Sequence, residues 1–362
     1  MSTIDDPLAL GQRLVGILET GARVATYKLA ALTALIDHCV ENLPEEPRQE
    51  IDVPVHDLAA RVIELYWHQV LPFEHRPLRQ TTGSVARILR AVTSLREDTG
   101  AGESGMSAAA AICRAPDAYG TTVNEVALVL VQQPIHRLQK LPNGTGDPFL
   151  YDDSWMHDKV SARTVAAHGN AITLFPGVAF GLARLSGLLR PALEILWVDD
   201  VRRMNKWLGA EVPDVAGHLF GRDRIRLTPV RLAMKEAFGP RCFYCDARLP
   251  ADNPVDHVLP WSRVGIDGLA NLVLACRKCN GDKLHSLPSV DLVGRALSRK
   301  RGTLEQIADS ISWPTQYDRV VAAARGLYRG QPGGTPTWDG YKRSVRIDLA
   351  FPPTWLRLAY DA

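Results

Sequence analysis

Cys242, Cys245, Cys276 and Cys279 form two CxxC pairs with 30 residues between them. Each pair can clamp one edge of a metal ion, and four thiolates complete the closed tetrahedral site of a structural zinc. A closed site has no position for a substrate, so any reaction must come from what the ion holds in place. Between the pairs stand Asp256-His257 and then Asn271, and Asn280 directly follows the last cysteine. Among these side chains only the imidazole titrates near neutrality, which makes His257 the group able to move a proton at working pH. A purely structural zinc module would need the cysteines but not this polar quartet.

The order CxxC, Asp-His, Leu-Pro, Asn-Leu, CxxC-Asn-x-x-Lys resembles the HNH endonuclease family, the ββα-metal nucleases. The step of 14 residues from His257 to Asn271 and the step of nine to Asn280 fit its pattern. The motif covers Cys242–His285. The flanking phrases FGRDRIRLTPVR, PWSR and NLVLA also resemble bacterial HNH proteins with long helical N-terminal regions.

The resemblance implies an endonuclease that hydrolyses phosphodiester bonds in DNA with a divalent metal ion. His257 deprotonates the attacking water, and Asn271 orients its ring. Neighbours on a strand point to opposite faces, so Asp256 can ligate the ion while His257 stays free. Asn280 supplies the second ligand, and one carboxylate with one amide oxygen favours Mg²⁺ or Mn²⁺. Many family members have a histidine where this chain has Asn280; His285, five residues on, is a poorer substitute because it turns away from that face. Lys283 and Arg263 are the expected phosphate contacts. RNA cleavage, and a non-catalytic zinc-stabilised nucleic-acid-binding protein, remain the alternatives. A role in bacterial restriction or anti-phage defence follows from the resemblance alone.

The whole chain has 362 residues, 46% hydrophobic and 23% charged, with net charge +2. That composition excludes a disordered tail and a disulfide scaffold. No apolar run reaches the ~18 residues of a membrane span, and the N-terminus lacks the order of a secretory signal. The expectation is a cytoplasmic protein with no membrane partner. The bland net charge conceals an asymmetry: residues 221–301 carry net +7 and the remainder −5. A basic stretch around the motif is what a phosphate backbone requires. No GxxxxGK[ST] loop occurs, which excludes an NTP-driven motor.

The elements that must position the site are mostly helices, giving an α+β, predominantly helical chain. Helix patterns run over Leu8–Leu43, Asp57–Val70 (with Asp57 as N-cap) and Ser84–Leu95. Thr121–Gln133 is ambiguous between helix and strand. Phe149–Asp152 and Ala171–Phe175 could pair as a small hairpin near 148–176. Val178–Leu189 and Ala192–Leu208 follow, separated at Pro191. The expected organisation is a helical region, 1–220, for target recognition or oligomerisation; an HNH nuclease domain, 221–290; and a C-terminal extension, 291–362, packing on the body. GQPGGTPTWDG reads as a linker, Cys39 and Cys113 as small core residues, and the acidic residues around His157 as a solvated loop. Cutting both strands with one such site per chain would favour a homodimer or two successive nicks, and a partner protein is the other expected association.

Overall fold

The computed structural model describes residues 6–20, 24–83, 86–102, 106–140, 147–208, 214–220, 226–350 and 352–357. It is a predominantly helical α+β protein that divides into two compact units, 1–225 and 226–362. The division falls just after residues 221–225, where the basic stretch begins and which lie outside the described set.

Unit 1 is built around α2 (Tyr27–Glu41), of whose 15 residues 12 are buried. A helix apolar on all sides belongs at the centre of a core. It packs against α3 (Val55–Gln69) and α9 (Val178–Met204), and α1 (Pro7–Thr20) also lies on α9. A buried ion pair between Asp37 and Arg190 ties α2 to α9. The outer helices are α4 (Arg87–Asp98), α5 (Ala108–Arg114) and α6 (Pro116–Leu130). A π-helical turn, Val131–Ile135, and a last turn, α7 (His136–Leu138), extend α6. Pro134 sits inside the π turn, where its missing N–H interrupts the normal ladder. The short helices α8 (Ala162–Ala167) and α10 (Val215–Phe220) complete the unit.

Several local expectations change. The pattern over 8–43 is two helices, α1 and α2; before α2, Ala25 bridges to Thr81 and the Thr26 N–H donates to the Gln80 carbonyl. The Asp57 helix starts earlier, at Val55, with Pro54 at the cap and Asp57 in the first turn. Thr121–Gln133 is helical throughout. Pro191 does not end its helix: α9 runs unbroken through it for 27 residues. The proline sits on the exposed face, where water can take the carbonyl that its missing N–H leaves free. The strand Ala171–Leu174 (β2) pairs chiefly with Ile51–Pro54 (β1), the segment directly before α3. From the expected hairpin partner, Tyr151 bridges to Leu174 and the Leu150 carbonyl accepts from Phe175 N. Cys39 is buried as expected, but Cys113 is exposed.

Unit 2 opens with α11 (Thr228–Phe238). The antiparallel pair β3 (Val255–His257) and β4 (Leu272–Leu274) leads directly into α12 (Arg277–Lys283). Register sets Asp256 opposite Val273 and His257 opposite Leu272. Three helices follow, α13 (Val290–Leu297), α14 (Arg301–Ile311) and α15 (Tyr317–Arg329). The expected linker is instead the first strand of a hairpin, β5 (Pro336–Gly340) with β6 (Arg343–Arg346). The segment before α13 pairs with β5, Ser289 N donating to the Trp338 carbonyl and Trp338 N to the Leu287 carbonyl, and the Trp338 indole donates to Asp282 of α12 at 2.7 Å. Residues beyond 290 thus form the back of the ββα element. Gly268, before the 3₁₀ turn Leu269–Asn271, has no room for a side chain: a Cβ there would lie 2.5 Å from the Thr315 carbonyl oxygen. No helix among the described residues is long and apolar enough to cross a membrane.

Candidate active site

The cysteines come together as their spacing predicts. Sulfur atoms of Cys242, Cys245, Cys276 and Cys279 all lie within 4.8 Å of one another. Cys245 and Cys276 are 3.8 Å apart, which is the edge of a tetrahedron with metal–sulfur bonds of about 2.3 Å. The donor set and its dimensions fit zinc. Backbone N–H groups support the thiolates: Cys276 N donates to Cys242 Sγ and Cys279 N to Cys276 Sγ, both at 3.3 Å. Cys276 caps α12, so the metal site fixes the first turn of the helix that carries Asn280.

Asp256 and His257 leave β3 in different directions, as pleating requires. Asp256 is 8% exposed. Its Oδ2 accepts from the Tyr244 hydroxyl at 2.6 Å and faces the Lys283 ammonium at 3.1 Å. Burial first, and then the adjacent carboxylate, hold the Tyr244 phenol well above its ordinary pKa, so it remains a donor. The other oxygen, Oδ1, has no hydrogen bond among the described residues. Asn280 lies one turn before Lys283 on α12, on the face turned to β3. Its half-buried carboxamide likewise makes no side-chain hydrogen bond among the described residues. An unengaged carboxylate oxygen on β3 and an unengaged carboxamide on α12, the helix that Lys283 ties to that strand, are hard donors of the kind that suit a small divalent cation.

Lys283 corrects the sequence reading. It is completely buried, donating to the His257 carbonyl at 2.6 Å while paired with Asp256, so it cannot touch an incoming phosphate. The side chain spans from helix to strand and locks α12 onto β3. Removing one member of a buried pair strands the other charge, at a cost of about 3–5 kcal/mol. Lys283→Met is therefore expected to lower the unfolding midpoint of unit 2 in a denaturant titration; an unchanged midpoint would contradict the packing role.

The position of Asn271 is also informative. It is fully buried, and its amide is consumed by backbone: Oδ1 accepts from Leu259 N at 2.8 Å, and Nδ2 donates to the Leu259 and Ile266 carbonyls at 3.0 Å. It thus closes the loop after His257 rather than contacting the ring. The ring partner is Asp267, whose Oδ1 lies 2.7 Å from His257 Nε2. Asp267 is held in turn by its own carbonyl, which accepts from the Trp313 indole at 2.8 Å. Arg299 donates to the carbonyls of Leu269, Ala270 and Leu272 and fixes the strand entry.

Arg263 sits half-buried in the loop between His257 and Asp267. Burial pulls its guanidinium below the ordinary value, and it forms no ion pair among the described residues. It keeps the capacity for a phosphate contact. His285 is exposed, with its Nδ1 3.2 Å from Ser262 Oγ. Sequence reasoning misses Asp267 and Tyr244. Tyr244 is masked as a spacer inside CFYC, and Asp267 as one acid in a loop; only its ten-residue offset from His257 marks it.

Comparison with known families gives two matches. A model described as a domain of unknown function (DUF8808) covers residues 8–218, more than half of the chain. A model described as HNH endonuclease covers residues 242–289. No curated protein and no solved structure matches.

Proposed function

We propose that this chain, which belongs to the DUF8808 family and carries an HNH endonuclease domain, is a metal-dependent endonuclease that hydrolyses phosphodiester bonds in DNA. The observation that carries this reading is the pairing of the His257–Asp267 dyad with the open oxygens of Asp256 and Asn280 on one ββα element. A zinc-stabilised binding module has no use for either.

The residues divide the work as follows. His257 Nε2 is engaged by Asp267, so it carries the ring proton, and Nδ1 is left as the base that accepts a proton from water. Asp267 fixes the orientation of the ring. Asn271 keeps the loop between β3 and β4 closed. Asp256 and Asn280 would hold Mg²⁺ or Mn²⁺. When bound, that ion neutralises charge on the scissile phosphate and the departing oxygen. Zinc at the four cysteines stays structural. Arg263 contacts a non-scissile phosphate. The resemblance to bacterial HNH proteins supports a role in restriction or anti-phage defence.

The direct test incubates purified protein with modified and unmodified plasmid and with RNA, across Mg²⁺, Mn²⁺ and chelator. Cleavage of DNA that requires added Mg²⁺ or Mn²⁺ is the expected result; no cleavage of any substrate would sink the proposal, and RNA cleavage alone would move it to the ribonuclease alternative. Asp267→Asn tests the dyad. Supporting partners of this kind typically contribute about 10–100-fold, so turnover should fall by that factor with substrate binding unchanged. Wild-type turnover in this variant would remove Asp267 from the mechanism.

A further inference from the structure

Unit 1 contains a second place suited to nucleotide chemistry. A cavity of about 440 Å³ is lined by Arg79, Thr81, Thr82, Arg203, Lys206 and Trp207. Its size falls within the roughly 300–1,000 Å³ usual for small-molecule sites. Two separate segments build it: the extended run that pairs with Ala25, and the end of α9 with the turn after it. Asn205, 1% exposed, joins them. Its Oδ1 accepts from Arg79 N at 2.8 Å, and its Nδ2 donates to the carbonyls of Arg79 and Val201 at 2.7 Å. The walls are therefore fixed by a buried amide.

The charge of the lining is one-sided. Arg203 keeps Asp200 at 2.8 Å, while the side chains of Arg79 and Lys206 form no ion pair among the described residues. Cations in the last turn of a helix complement its dipole, and that accounts for Arg202 and Arg203. It does not account for Arg79, which comes from another segment; on the same wall Thr82 Oγ1 spends its proton on the Val24 carbonyl, while Thr81 Oγ1 accepts from Gly83 N and keeps its own proton to donate. Nor does it explain why Trp207 is left 37% exposed, flanked by the Arg76 guanidinium 5.3 Å from its ring centroid. Cations without an ion-pair partner, with a hydroxyl that still has a proton to donate, recognise phosphate, and an exposed indole beside an arginine is a stacking platform for a base.

We infer that this cavity binds a nucleotide, with its phosphate on Arg79, Lys206 and the Thr81 hydroxyl and its base on Trp207. The same chemistry is offered by a free nucleotide and by one unit of a single strand. The inference does not depend on hydrolysis at His257.

The test uses full-length His257→Ala protein, so that substrate survives, titrated calorimetrically with deoxyadenosine monophosphate, deoxyadenosine, inorganic phosphate and single-stranded oligo(dA). The monophosphate should bind more tightly than either the nucleoside or phosphate. Trp207→Ala should weaken it by about five- to 100-fold, the range of base–aromatic stacking, and Arg79→Ala with Lys206→Ala by at least ~10-fold. A strand that binds far more tightly than the monophosphate, and loses that gain in Trp207→Ala, identifies a nucleic-acid strand as the source. Equal affinity identifies a free nucleotide. Phosphate binding as tightly as the monophosphate, or affinities for monophosphate and strand that none of these substitutions changes, would overturn the inference. These side chains are exposed, and unchanged circular-dichroism melting verifies that the variants fold. Wild-type cleavage is scored separately, so failure of the nuclease proposal leaves these binding results standing.

Discussion

His257→Ala is expected to lower phosphodiester cleavage by about 10²–10⁴-fold, the usual contribution of a positioned general base. The fold should survive, because the ring is half-buried on a strand whose pairing is backbone-made and whose carbonyl, not its side chain, holds Lys283. Zinc content should also be unchanged, since the four sulfurs are independent of the ring. Parallel measurement of initial rates, zinc stoichiometry and melting separates a chemical loss from a structural one. Undiminished cleavage in a correctly folded, zinc-loaded variant would refute the assignment of the base.

Removal of zinc is expected to have the largest effect on stability. Cysteine-bound zinc in small modules contributes an apparent ~10–16 kcal/mol, more than a typical domain's whole margin of about 5–15 kcal/mol. Here the ion would join the Cys242–Cys245 turn to the start of α12, and through α12 would fix both Asn280 and the Lys283 lock. Cys279→Ser, at a position 1% exposed, should abolish stoichiometric zinc and the thermal transition of unit 2, and with them activity. Mg²⁺ should not restore it, because hard oxygen-seeking ions do not replace zinc on thiolates. Wild-type zinc content and melting would contradict the structural role of the cluster.

The sequence made the site legible where chemistry is carried by identity and spacing. Two CxxC pairs can meet only around a common centre, and the structure brings them there. It was opaque where burial decides the role. Lys283 reads as a surface cation three residues after Asn280, yet the helix turns it inward to the least exposed position in the element. Asn271 reads as a partner for the ring, but the 3₁₀ turn directs its amide at the Leu259 and Ile266 backbone. Asp267 reaches His257 only because that loop folds back, a non-local event with no local pattern. The helices were mostly visible in their periodicity. Pro191 misled because its cost depends on which face of α9 it occupies, and β1 was hidden because a four-residue strand is defined by its partner, Ala171–Leu174.

The indole of Trp338 on Asp282 bears on how the HNH domain can be engineered. A fragment trimmed to the matched motif, 242–289, would discard that contact, the Arg299 clamp on the Leu269–Leu272 carbonyls and the Trp313 support of Asp267. It would also lose Lys235, which binds the Pro250 and Ala251 carbonyls from the preceding helix. A chimera built by fusing a foreign DNA-targeting domain should therefore carry a cassette of 226–357, which also keeps the 3₁₀ turn Thr354–Leu356 held on α15 by the Arg325 bond to the Trp355 carbonyl. Its graft junction belongs upstream of α11, and appended sequence at the other end belongs beyond that turn.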